Sequence, residues 1–154
     1  MSPARRTLAD LKTDGSLETV PVDPGVIANL LGQAHRHLAT AVAGRSSGDT
    51  EGAFTLAYDA ARKTCAALIL AMGLRAKDAP GSHIVTFHAA GAIAHNFGQR
   101  QIVTDAGNLR QVRHGSEYRG NVIDDADAHD AIAIGRELLA ACEPAIKQIL
   151  AAST

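Results

Sequence analysis

The sequence predicts an all-α protein, an antiparallel up-and-down bundle of four to five helices. Three observations carry this expectation. Apolar residues make up 46% of the 154 residues, yet alanine and leucine dominate them and only five residues are aromatic. Small side chains and strong helix formers favour closely packed helices. Apolar positions recur at intervals of three and four over long stretches, which is the period of an amphipathic helix. Glycine, proline and aspartate gather at the breaks between those stretches, and nothing reads as a run of strands. A chain of this length is one domain's worth and can bury a core.

Residues 1–22 read as a lead-in segment, and residues 23–152 as the bundle domain. In the lead-in, "TLADLK" makes one or two turns and "TDGSLE" breaks them. "PVDPG" then marks the boundary. The first long helix starts at Asp23, a good N-cap, followed by Pro24 where a missing N–H costs nothing. Ile27, Leu30, Leu31, Ala34, Leu38 and Ala41 share one face, and "AGRSSGD" ends the helix. The second helix begins near Asp49 or Thr50 and runs to about Met72, with Gly73 closing it. Its stripe is Phe54, Tyr58, Ala61, Cys65, Leu68, Ile69 and Met72. "RAKDAPGS" is a loop. Ser82 caps a third helix carrying Ile84, Phe87, Gly91, Ala94 and Phe97. A shorter fourth helix spans Thr104 to Gly115, with Leu109 and Val112 inward. Asp124 or Asp125 caps a fifth helix that reaches about Ala151, and Pro144 inside it predicts a kink or a break.

The charge balance excludes some roles. A formal net charge of −1 gives no global basic field, so any contact with nucleic acid must be local. Cys65 and Cys142 sit inside apolar helical patterns, as small core hydrophobes of a reducing compartment. The first residues lack the apolar core of a secretory signal, and no apolar run approaches membrane-spanning length. A cytoplasmic protein without membrane contact is the expectation.

The histidines do not assemble a metal site on spacing. His35 and His37 lie about 200° apart around a helix, and His88 and His95 lie about 10.5 Å apart along one, too far to share an ion. No metal and no cofactor is expected. No nucleophile elbow, Gly-rich phosphate loop or EF-hand is present; "GNVIDDADAHD" is the acidic start of a helix.

The remaining chemistry lies in "NLRQVRHGSEYRG", Asn108 to Gly120. On a helix, Arg110 lies one turn before Arg113 and His114, so the three crowd one end of a face. Arginine offers a planar fork of always-charged donors, and histidine moves a proton near neutral pH. Gly115 is expected to end the helix, leaving Tyr118 on the connecting segment, free to turn back toward the arginines. The plainer reading of the same residues is a basic helix end that complements the dipole.

These stretches carry a resemblance. With "AYDAARKTCAALILAMGLR" and "LRQVRHGSEY" as its main bearers, the chain resembles the HEPN superfamily over roughly "DPGVIANLLGQAHRHLATA" to "GRELLAACEPAI". It is most similar to compact, stand-alone members of actinobacterial type. The resemblance implies an all-α domain of the kind found in toxin–antitoxin and defence systems. It implies a homodimer in which the arginine motifs of two subunits face each other. In ribonuclease members an arginine is followed by a polar residue and, several residues later, by a histidine. Arg113 and His114 match the first two positions; Tyr118 stands where the later histidine would be. Tyr118 also corresponds to a tyrosine that a partner nucleotidyltransferase antitoxin can modify in some members.

Two functions follow as expectations. One is a binding domain for RNA or a nucleotide, with Arg110 and Arg113 holding the phosphate and no chemistry. The other is a metal-independent endoribonuclease that uses the RNA's own 2′-hydroxyl. There Arg113 neutralises charge on the phosphate, His114 is the general acid or base, and Arg110 holds substrate. Tyr118, with an ordinary pKa of about 10, orients a phosphate oxygen or donates a proton weakly.

Overall fold

The computed structural model describes residues 6–120 and 122–153, without the side chains of residues 116–119. Six helices and one two-stranded ribbon follow in the order α1 (Leu8–Thr13), β1 (Leu17–Thr19), α2 (Pro24–Ser46), α3 (Thr50–Ala71), β2 (Leu74–Ala76), α4 (Ser82–Ala94), α5 (Arg100–Arg119) and α6 (Asp125–Ala152). A 3-10 turn, His95–Phe97, links α4 to α5. The fold is all-α.

Local chemistry sets the helix starts. The Asp23 carboxylate accepts hydrogen bonds from the Gly25 and Val26 backbone N–H groups, and Asp49 accepts from Gly52. Asp124 and Asp127 form a reciprocal capping box, at 2.8 and 3.1 Å. Each satisfies donors that the first helical turn leaves unpaired.

The central helix is α3, which packs against α2, α4, α5 and α6. Phe54, Tyr58, Cys65, Leu68 and Ile69 are all buried along it, with alanines between them. The alanines let neighbours approach closely. Gly135 of α6 does the same from the other side: a Cβ there would stand 2.8 Å from Leu38 Cδ2 of α2. Both cysteines are free and buried. Burial pushes the Cys142 thiol up to about 12, so it packs as a hydrophobe rather than reacting as a thiolate.

Several expectations are corrected. β1 and β2 pair antiparallel, with Glu18 opposite Arg75 and the two side chains ion-paired. Strands of three residues are too short to show a period of two, which is why "RAKDAPGS" reads as loop from its start. The first segment adds Leu11 and Leu17 to the core. Ser82 is the first residue of α4, behind Gly81. Met72, Ile84 and Val112, expected to face inward, are exposed. Helix α6 runs through Pro144 without the expected break; Pro144 and Ala140 are both on the exposed side, so the carbonyl that loses its partner can be hydrated.

The largest correction concerns α5. It spans Arg100–Arg119 rather than 104–115. Gly115 is buried inside the helix, and the stop is Gly120, at φ +67 with its N–H donating to the Gly115 carbonyl. One interior glycine costs about 1 kcal/mol, which the flanking turns can absorb. A left-handed residue ends a helix outright. Tyr118 therefore lies in the last helical turn and not on a connecting segment.

Candidate functional site

Of the expected arginines, Arg113 lies over an aromatic side chain of the central helix, and Arg110 acts on the same side chain electrostatically. Tyr58 of α3 is only 2% exposed. The Arg113 guanidinium carbon stands 5.4 Å from its ring centroid, within reach of a cation–π attraction. On its other sides lie Phe87 and His83 of α4, with ring centroids at 6.0 and 6.4 Å. The tilted geometry of both pairs is favourable for aromatic rings. The Tyr58 hydroxyl is buried and has no hydrogen-bond partner among the described residues.

Electrostatics mark the same place. Burial pushes the Tyr58 phenol up, while the nearby Arg113, Arg110 and Arg62 pull it down less strongly. His83 is held below its ordinary value, first by burial and then by Arg62, Arg113 and Arg110, against a weaker opposing effect of Asp59. Near neutral pH the imidazole is therefore uncharged amid three guanidinium groups. Burial is the larger cause of this depression, and the guanidinium groups add to it a positive field of the sign that favours an anion.

Asp59 anchors part of this cluster. Its carboxylate lies 2.7 Å from Arg62 and 2.7 Å from Lys63, both one turn along α3. His37 Nδ1 of α2 approaches it to 2.9 Å, though without the angle of a hydrogen bond. Burial pushes the Asp59 carboxyl up, but the hydrogen bonds from Lys63 and Arg62 outweigh it, and the group stays below the ordinary carboxylate range. His35, two residues from His37, turns instead to Glu143 of α6. Among the described residues no group of three or more His, Cys, Asp or Glu side chains is placed to hold a metal ion.

Of the residues singled out in the sequence, Arg110 and Arg113 both belong to the cluster. His114 follows Arg113 by about 100° around the helix and is exposed. The Tyr118 side chain lies outside the described residues. Sequence reasoning misses Tyr58, His83, Arg62 and Asp59. Tyr58 falls in an apolar stripe, which is correct for its ring and silent about its hydroxyl. The signal that could have found it is "YDAARK": polar groups at positions 58, 59, 62 and 63 in the midst of an apolar helical pattern.

Chemically, the arrangement can bind a phosphate through guanidinium forks, accept a proton on a neutral imidazole and donate a hydrogen bond from a phenol that stays protonated. Fold and cluster together define a small all-helical domain with a localised cationic patch, and no helix of the described residues is long and apolar enough to cross a membrane. Residues 27–145 match the family model of the HEPN domain, and the chain belongs to that family. This points to an RNA-related or nucleotide-binding role. No curated protein and no solved structure matches the chain.

Proposed function

We propose that the chain binds RNA or a nucleotide through the Arg110–Arg113 region of α5, as a homodimer in which two such regions face each other. The observation that carries the reading is Arg113 over the buried Tyr58, with Arg110 and Arg62 acting on the same His83. That cation–π contact holds the Arg113 guanidinium in place in advance, so less freedom is lost when a phosphate docks. The chain's net charge of −1 makes this a local contact rather than a basic surface. A toxin–antitoxin or defence module, with a nucleotidyltransferase as partner antitoxin and Tyr118 as its target, is the setting that fits this reading.

A second reading is favoured by one observation, the neutral His83 within the arginine cluster. It supplies an imidazole that the Arg-x4-Tyr pattern lacks. In a metal-independent endoribonuclease the 2′-hydroxyl oxygen attacks phosphorus, its proton passing to His83 or to His114. The P–O5′ bond breaks, and the 5′-oxygen takes a proton from the imidazolium so formed and leaves as a hydroxyl. The products are a 2′,3′-cyclic phosphate and a 5′-hydroxyl end. Arg113 neutralises the charge that grows on the phosphate, Arg110 holds the strand and Tyr118 orients an oxygen.

The test is anisotropy with labelled single-stranded RNA, in EDTA, followed by separation of the RNA on a gel. Arg110→Ala with Arg113→Ala is expected to weaken binding by a factor of ten or more; unchanged affinity removes the site. Cleavage lost in His83→Ala but retained in His114→Ala assigns the base to α4. An intact RNA leaves the binding reading alone.

A further inference from the structure

A second cationic feature lies between α4 and α5, on the far side of Arg110. It is a groove of about 400 Å³, in the range that takes a small organic ligand. Its floor is formed by Phe87, Gly91, Val103 and Gly107. The two glycines keep the floor low; a Cβ on Gly107 would reach 3.4 Å from Phe87. Arg100 and Arg110 stand on the α5 wall, and Gln101, Asn108 and Gln111 bring carboxamides, that of Gln101 donating to Asp105 at 2.9 Å. None of the described lining residues is acidic. Arg6 stands at the groove too, but its guanidinium is engaged by Asp14.

Arg100 gives the second, independent observation. Its Nε is buried and has no hydrogen-bond partner among the described residues. A guanidinium N–H taken from water and left unmatched costs free energy, which an anion in the groove would offset. An apolar floor, a guanidinium with one unmatched N–H and the carboxamides of Asn108 and Gln111 are complementary to a planar ring carrying a phosphate. Carboxamides offer both donors and acceptors, the pattern needed to read a nucleobase edge.

We propose that the α4–α5 groove binds one nucleoside monophosphate unit, its phosphate on Arg100 and its base along the Phe87–Gly107 floor toward Asn108 and Gln111. The unit is either a free nucleotide or the phosphorylated end of an RNA strand, since both present the same chemistry. The site does not require Arg113, Tyr58 or His83. Resting on Arg100, it stands or falls separately from the function proposed above.

Calorimetry on the full chain tests it, with the four 5′-mononucleotides, a 5′-phosphorylated tetranucleotide and inorganic phosphate as probes. At least one mononucleotide is expected to bind one-to-one and at least tenfold more tightly than inorganic phosphate. Arg100→Ala is expected to weaken it tenfold or more. Thr104→Phe, a substitution on the exposed rim of the groove, is expected to block it while leaving the core untouched. A loss in Arg113→Ala equal to that in Arg100→Ala would place the nucleotide at the Arg110–Arg113 region instead of the groove. A tetranucleotide that binds more tightly than its mononucleotide assigns the groove to a strand end; a weaker one assigns it to the free nucleotide. The proposal is overturned if no mononucleotide binds, if inorganic phosphate binds equally well, if Arg100→Ala and Thr104→Phe bind as the parent does, or if Arg113→Ala loses as much affinity as Arg100→Ala.

Discussion

The Tyr58 hydroxyl is a polar group buried among rings and guanidinium groups without a described hydrogen-bond partner. Its burial opposes folding, because the hydroxyl leaves water and gains nothing in exchange. Replacing it should therefore separate stability from function. Tyr58→Phe keeps the ring, the stacking surface and the contacts with Phe87. It is expected to leave stability unchanged or raise it by about 1 kcal/mol, measured by urea unfolding, while weakening RNA binding. A Phe variant that is clearly less stable would mean that the hydroxyl is satisfied in the folded protein. Arg113→Ala removes a cation–π contact from a partly exposed side chain, a loss on the order of 0.5–1 kcal/mol. The variant used to test binding should thus remain folded. At this scale the sequence is informative about charge and silent about contact: Arg110 and Arg113 are legible as a pair, but their aromatic partner lies more than 50 positions away in the chain.

At the scale of elements, helix starts are legible and helix ends less so. Asp23, Asp49 and Asp124 cap as their positions indicate, because a cap is settled by groups within three residues of it. The end of α5 is harder, because Gly115 and Gly120 offer the same local signal and only Gly120 takes a positive φ. The short β1–β2 pairing cannot be read from either segment alone, since each strand depends on the other for its hydrogen bonds. Gly135 shows an element-level constraint of another kind. It lies where α6 crosses α2 and α3; a Cβ there would meet Leu38 on one side and stand 3.5 Å from the Ala57 carbonyl oxygen on the other. Gly135→Val would force those helices apart. A loss of about 1–3 kcal/mol is expected from such overpacking, read as a lower urea midpoint at constant slope. An unchanged midpoint would mean that Leu38 can rotate away freely.

For the whole molecule, acid is the condition to which α4 is most sensitive. His83 and His88 are both held below their ordinary value of 6.5, by burial first and by neighbouring arginines second. As pH falls through 6.5, the unfolded chain takes up protons that the folded protein still refuses. The stability contributed by these two groups is therefore complete above that pH and is eroded below it, until the depressed folded-state values are reached. Asp59 adds a second window in the same direction: its lowered pKa contributes stability that fades only once pH falls below the carboxylate's ordinary 3.8. The urea midpoint is expected to drop between pH 7.5 and 5.5. The drop should shrink in a His83→Gln, His88→Gln double variant, and an equal drop in that variant would place the sensitivity elsewhere.

The sequence by itself determined the long helices α2, α3 and α6 with their aspartate caps, the all-α class and the basic character of the α5 end. Those properties follow from spacing and from contacts between residues a few positions apart. Only the tertiary structure decided which side chains share a site. Burial of α3 between α2, α4, α5 and α6 brings Tyr58, His83 and Arg113 from three different helices to one point, and the same packing leaves the groove beside Phe87. Such meetings depend on how helices cross, and side-chain spacing along any one of them carries no record of it.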